Sequence, residues 1–408
     1  MKAKWMIVIG LLAVVGLLLT GCWDSRELRT ISIVTAMGVD KAPEKNEYRV
    51  SLQIVNPGTV ATGSMGGGGG SNVTPATIYS STGNTLMEAI RHASQKVPRE
   101  LFFSHTQLLI IGEPLAKQGI NEIFEMFYRS HEARLTTRVL VTRLTNSETV
   151  VQTLAPLEKI PANSATGKIK NTSKMWSENI EIIIDDVIKA LTSEGREPII
   201  SGITIVGNQK EGKKLSNNEQ TVPPAVIEIK SMALFKDGKL TYWLHGHEGR
   251  GVSWIQNKMK STIININCKD QKDAVGIEVV RSKTEIKVDI RAKRPMFHIL
   301  IREEGDISEV KCPIDTSKEE EVKKLETEWA NETRKEVMQA LYAAQRTKSD
   351  VFGFGDAVNR AHPRAWESMK NDWNETFADS KADVKVDAFI RRTGMRTKSF
   401  LMEQSKQE

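Results

Sequence analysis

The chain has 408 residues, 39% of them hydrophobic and 26% charged, the balance of an ordinary globular protein long enough for two or three domains. Its net charge of +6 is small and scattered. That suits mild attraction to an anionic membrane surface and excludes the concentrated basic face that nucleic-acid binding requires.

Lys2 and Lys4 open the chain, an apolar run from Trp5 to Leu19 follows, and Leu19-Thr20-Gly21-Cys22 closes it. A basic start, a short apolar core and small residues before a cut site describe a secretory signal, too short for a comfortable membrane span. The small-small-Cys ending is a lipobox: the Cys22 thiol takes a diacylglyceryl thioether, and residues 1–21 are then removed. Two acyl chains hold at a bilayer where one exchanges, because each buried methylene adds roughly 0.8 kcal/mol. The sequence therefore predicts a domain tethered outside a cytoplasmic membrane by covalent lipid at Cys22. Trp23, Asp24 and Glu27 follow at once. Tryptophan suits the bilayer interface, which makes these three the candidate juxtamembrane docking residues.

Residues 30–39 and 48–55 read as hairpin strands around a polar turn. Residues 56–75 break all periodicity, with five consecutive glycines at 66–70, and read as a flexible surface loop. Strand and helix then alternate: strand 76–80, helix 84–96, strand 105–111, helix 115–128 and strand 136–142. With the hairpin they make an α+β first domain over 22–144. Residues 145–194 read as helical, the last helix carrying Ile180, Ile184, Val187, Ile188 and Leu191 on one face. A strand at 199–206 and a polar linker at 207–222 complete a mainly helical middle domain, 145–222.

The third section, 223–408, opens with strands 225–235 and 239–245 joined by Lys236-Asp237-Gly238, a tight-turn signal. A short helix at 248–257 and four strands at 261–268, 274–281, 284–292 and 296–304 follow. The longest helix runs from 318 to about 347, after two overlapping capping-box spacings, Thr316 to Glu319 and Ser317 to Glu320. A helical stretch at 354–374 and a strand at 384–391 end the chain. The predicted class is a multi-domain α+β fold: a mixed sheet with helices, a small helical middle section, and a C-terminal antiparallel sheet backed by a long helix. Cys268 and Cys312 sit in apolar, strand-like contexts and read as two buried free thiols, although the compartment permits a disulfide.

Catalytic signals are weak. His245-Gly246-His247-Glu248 could hold a divalent ion only with a third ligand, and otherwise reads as an exposed polar turn. There is no Gly-x-Ser-x-Gly elbow. Asp185-Asp186 fall on consecutive helical positions and do not converge. The reading is a protein that is not an enzyme and needs no metal or cofactor. The Gly-spaced aromatic turn Asp350-Val351-Phe352-Gly353-Phe354-Gly355-Asp356, with Ile390-Arg391-Arg392 at the last strand, offers Phe352, Phe354, Asp356, Arg391 and Arg392 as candidates for partner contact or for fixing the last domain.

These residues carry a resemblance. Cys-Trp-Asp-x-Arg-Glu-Leu at 22–28, followed by Ala36-Met37-Gly38-Val39-Asp40, resembles the start of the C subunits of spore germinant receptors, the Ger(x)C family. The turn at 350–356 with Trp366, Trp373 and the run 390–394 resembles that family's end, and Gly249-Arg250-Gly251 with Trp254 fits its middle. The glycine run at 66–70 and the His245–His247 corner depart from the pattern. The resemblance implies a non-enzymatic lipoprotein on the outer face of the spore inner membrane, required for nutrient-triggered germination. It also implies assembly with a multi-pass A subunit and a transporter-like B subunit. The rival reading is a lipid-anchored solute-binding protein of an uptake system.

Overall fold

The computed structural model describes residues 4–6, 30–42, 47–57, 74–130, 132–292 and 294–392. Cys22, Trp23, Asp24, Glu27 and the glycines at 66–70 lie outside these residues. Among the described residues, no helix is long and apolar enough to cross a membrane.

Four parallel strands form the centre of a large sheet: β1 (Ile31–Lys41), β5 (Leu108–Ile111), β6 (Arg138–Thr142) and β7 (Ile199–Gly207). Leu108 to Ile111 are all buried, as a strand covered on both faces requires. Antiparallel strands finish both sides. β2 (Tyr48–Val55) and β3 (Ala76–Gly83) extend from β1, and β8 (Ala225–Lys236) and β9 (Lys239–Leu244) extend from β7. The short β4 (Glu100–Phe102) pairs with the first residues of β1.

One face is covered by α1 (Leu86–Ala93), α3 (Asn121–Arg129) and α6 (Ile184–Leu191), through Ile90, Ile123, Phe124 and Val187. The other is covered by α4 (Ser147–Gln152) and α5 (Pro161–Met175), through Val150, Val151, Ala165 and Ile169. The helix expected over 115–128 is two pieces, α2 (Glu113–Gln118) and α3. Gly119 separates them at a φ of 146°, which side-chain-bearing residues rarely adopt.

The three-part division expected from the sequence meets a sheet that crosses both of its boundaries. β7 joins the β1–β6 strands directly, and the 225–244 hairpin, expected to open the third section, completes the same sheet. The polar segment 207–222 is not a free linker. The buried Asn217 side chain donates to Leu154 O (2.9 Å) and Ala225 O (3.1 Å) and accepts from Ala225 N (2.9 Å), stitching the segment to both flanks.

The second sheet contains β10 (Ile263–Cys268), β11 (Gln271–Arg291), β12 (Arg294–Val310) and β13 (Lys381–Arg392), in that order. The two strands expected at 274–281 and 284–292 are one, because no turn residue interrupts the alternation at Ser282-Lys283 and only a bulge marks the join. Three strands are antiparallel as expected; β13 runs parallel to β12 because a helical crossover returns the chain to the same end. That crossover is α8 (Glu319–Arg346), then α9 (Phe354–Ala361), α10 (Pro363–Glu367) and α11 (Trp373–Ala378), the stretch 354–374 being broken at His362-Pro363. α8 has 28 residues, about 42 Å of helix, and buries Leu325, Trp329, Val337 and Leu341. Before β10, α7 (His247–Ile255) packs on α8 and joins the two sheets' cores through Val252 and Trp254.

Cys268 and Cys312 form a disulfide, with Cα atoms 6.3 Å apart, and so are not free thiols. β10 turns tightly into β11, so that Cys268 pairs with Gln271. Lys311 N then bonds Ala274 O (2.7 Å), laying the exit from β12 along the same end and bringing Cys312 to Cys268.

Candidate functional site

The sequence motifs resolve into three polar devices, each of which holds elements together. The first explains Ala36-Met37-Gly38-Val39-Asp40. The Asp40 carboxylate is buried and accepts from Ser147 N (3.0 Å), Ser147 Oγ (2.7 Å) and Glu148 N (3.1 Å), satisfying the open N-terminus of α4. A Cβ on Gly38 would meet Ser147 Oγ at 2.6 Å, so glycine is needed for α4 to approach.

The second device explains Gly249-Arg250-Gly251 and Trp254. A Cβ on Gly249 would meet Glu178 O at 2.5 Å, and one on Gly251 would meet Glu336 O at 2.3 Å. The glycines thus let α7 slide between the 178 backbone and α8. Between them, Arg250 pairs with Glu336, whose side chain is fully buried. The same carboxylate accepts from Trp254 Nε1 (3.1 Å) and is met by His247 Nδ1 (2.8 Å). The Glu336 hydrogen bond holds the His247 pKa above its ordinary value, against the opposing pull of burial. Nearby Glu303 is fully buried; burial keeps its carboxyl well above the ordinary range, and Thr333 Oγ1 donates to it at 3.1 Å.

The His245–His247 corner does not converge. His245 Nδ1 faces Ser231 Oγ (2.9 Å) and Arg143 Nη1 (3.0 Å), while His247 turns to Glu336. Among the described residues, no group of three His, Cys, Asp or Glu side chains could hold a metal ion.

The third device is the 350–356 turn, built on Asp350. This fully buried carboxylate accepts from the backbone N–H of Phe352 (3.2 Å), Gly353 (3.0 Å), Phe354 (3.1 Å) and Gly355 (2.8 Å), and from Trp373 Nε1 (3.0 Å). Burial pushes its pKa up to about 6, and the donors from Gly355, Phe354, Trp373 and Gly353 limit the rise. Gly353, at φ 74°, turns the chain into α9. Asp350 was missed as the centre of the motif; the carboxylate preceding a Gly-x-Gly turn into a helix was the readable signal.

The turn also clasps the two sheets together. Glu197 N donates to Asp350 O (2.8 Å), Ser193 Oγ donates to Asp356 Oδ1 (2.8 Å), and Arg196 Nε lies 3.2 Å from Asp356 Oδ2. Phe352 and Phe354 are buried, Phe354 stacking on Phe297 at 4.1 Å, so they fix the last domain and offer no contact surface. Arg391 and Arg392 are exposed at the end of β13, with Arg391 3.4 Å from Glu304.

A cavity of about 480 Å³ lies apart from these devices, between α1, α3 and β4. Its walls include Met37, Ile90, Leu101, Phe103, Met126 and Phe127, and Arg91, Arg129 and Arg134 also line it. Of the sequence motifs, the 36–40 run reaches it through Met37, but the rest of the lining comes from three other separated segments that no motif marks.

Comparison with known proteins gives a consistent result. Residues 24–205 match the family model described as spore germination protein N-terminal domain, and residues 230–394 match that described as spore germination B3/GerAC like, C-terminal. The chain is 37% identical over 392 residues to spore germination protein KC of Bacillus subtilis (strain 168), covering 95% of each chain. It is 24% identical to spore germination protein B3 of the same organism, covering 91% of this chain and 93% of that one. A solved structure, that of the GerBC protein, superimposes with a TM-score of 0.54 at 18% identity, over 87% of this chain and 96% of that chain; this likeness shows the fold.

Proposed function

We propose, since the chain belongs to the spore germination B3/GerAC-like family, that it is a lipid-anchored, non-catalytic subunit of a nutrient germinant receptor. The observation that carries this reading is the family match across both halves of the chain. Cys22 would be alkylated with diacylglycerol and hold the folded region on the outer face of the spore inner membrane. There it would assemble with a multi-pass A subunit and a transporter-like B subunit. The structure supports a scaffold role in one respect: the buried carboxylates Asp40, Asp350 and Glu336 are each engaged by groups of the protein itself. Arg391 and Arg392 are exposed and left for partners; Trp23, Asp24 and Glu27 would make the juxtamembrane contacts.

Cys22→Ala tests the anchor and the function together. The expected outcome is loss of the chain from the spore membrane fraction and a germination response to nutrients reduced at least tenfold. Full response with a non-acylated chain would refute the anchored reading. Affinity capture from detergent-solubilised dormant spores tests assembly, with two integral-membrane partners as the expected recovery. Tight nutrient binding by the isolated chain in calorimetry would instead favour the solute-binding alternative.

A further inference from the structure

The cavity between α1, α3 and β4 has no part in the three polar devices. At about 480 Å³ it falls within the range of about 300–1,000 Å³ that holds a small ligand. Three of its lining residues, Met37, Met87 and Met126, are methionines. Unbranched thioether side chains repack around occupants of varied shape. A wall of this kind adapts its shape to an alkyl chain.

The mouth carries three arginines and two glutamates beside its apolar wall. Arg91 and Arg134 are exposed, and among the described residues no acid lies within ion-pair distance of either. Arg129 is held by Glu125 at 2.6 Å, and Glu100 and Glu132 also line the cavity. Met87 is 44% exposed, and the neighbouring Tyr128 and Leu135 are 67% and 39% exposed. Exposed apolar side chains beside exposed arginines make a poor surface for water and a good one for a headgroup boundary.

Position adds the third argument. Glu100 and Leu101 of the lining pair with Ile31 and Ser32 at the start of β1. Nine residue steps separate Ile31 from Cys22, a reach of at most ~30 Å even fully extended. If Cys22 carries the anchor, the start of β1, against which this wall of the cavity pairs, lies within that distance of the bilayer.

We infer that this cavity binds an anionic membrane phospholipid, an acyl chain entering between α1 and α3 and the headgroup phosphate meeting Arg91 and Arg134. The inference rests on the anchored reading above for its source of lipid. Its effect would be to fix the orientation of the large sheet against the membrane, which a tether alone leaves free. A guanidinium is suited to this, presenting a planar fork of donors to phosphate oxygens.

The test uses the full chain purified in detergent and a phosphatidylglycerol bearing a diazirine on one acyl chain, with labelled peptides mapped by mass spectrometry. Label is expected within residues 86–94 and 121–137, competed at least fivefold by unlabelled phosphatidylglycerol and little by phosphatidylcholine. Ala133→Trp, which fills the cavity, and the surface pair Arg91→Glu with Arg134→Glu should each lower labelling at least fivefold; the charge pair reads the site even where the tryptophan disturbs folding. Label confined to other segments, or equal competition by phosphatidylcholine, overturns the inference. So does labelling seen only in Cys22→Ala, because the chain's own anchor would then be the occupant. The mass of the Cys22 peptide is read in the same digest. An unmodified Cys22 with labelled cavity peptides sinks the anchor and keeps this site; a lipidated Cys22 with no label does the reverse.

Discussion

Arg250 is the sharpest place to perturb the fold, because it neutralises a carboxylate that has no access to water. Arg250→Met keeps most of the apolar volume and removes the charge. Glu336 is then left buried, with Trp254 Nε1 at 3.1 Å and His247 Nδ1 at 2.8 Å as its remaining partners. Breaking a buried ion pair from one side costs about 3–5 kcal/mol, and the two surviving donors place this case at the lower end, about 3 kcal/mol. Adding Glu336→Leu removes the stranded charge, leaving chiefly the orphaned Trp254 N–H at roughly 1–2 kcal/mol. The double variant should therefore be more stable than Arg250→Met alone.

pH supplies a second readout of the same site. The Glu336 hydrogen bond raises the His247 pKa above its ordinary 6.5. A histidine raised on folding contributes stability that is fully present below 6.5 and lost as pH rises through the folded value. Removing Arg250 leaves His247 as the remaining cation among these partners, so the variant should be hurt more at pH 8 than at pH 5.5. Urea unfolding followed by tryptophan fluorescence measures all of this. A loss under about 1 kcal/mol in Arg250→Met, or a double variant no better than the single, would refute the reasoning.

Asp350→Ala leaves five N–H donors without their acceptor, and should cost at least about 3 kcal/mol while exposing the amides of residues 352–355 to rapid hydrogen exchange. Unchanged protection of those amides would count against the clasp. Replacing Cys268 and Cys312 with serine opens a cross-link between residues 44 apart and should lower stability by about 2–4 kcal/mol, with dithiothreitol reproducing the loss in the native protein. Gly251→Ala puts a methyl 2.3 Å from Glu336 O and should destabilise by about 1–3 kcal/mol; an unaffected unfolding midpoint would show that α7 and α8 separate freely.

The elements were largely legible because periodicity is a local property. The 3.6-residue face over 184–191 stood in the sequence and α6 forms there; α8 also forms where expected, but it starts from Lys318 with no side-chain cap bond, and Ser317 Oγ donates to Asp315 instead of capping the helix. Sheet membership was not legible. The 225–244 hairpin announces its turn through Asp237-Gly238, but nothing in it says which neighbour β8 will pair with, and β7 decides that from eighteen or more residues away. The aromatic turn shows the same limit. Phe352 and Phe354 look alike whether they face a partner or a core, and only the packing of Phe297 and Phe377 around them settles it. The disulfide was open for a similar reason: two strand-like cysteines pair only if the strand ends meet.

The place where the chain enters the large sheet has a mechanical consequence. β1 begins at Ile31 and sits inside the sheet, bonded to β2 across seven paired positions, to β5 across four and to β4 across three. A pull on the N-terminal side of Ile31 therefore acts along an interior strand. It loads those bonds together in shear, whereas a pull on an edge strand would peel them apart one by one. Tension arriving from that end would turn the folded region as one body before it frayed the sheet.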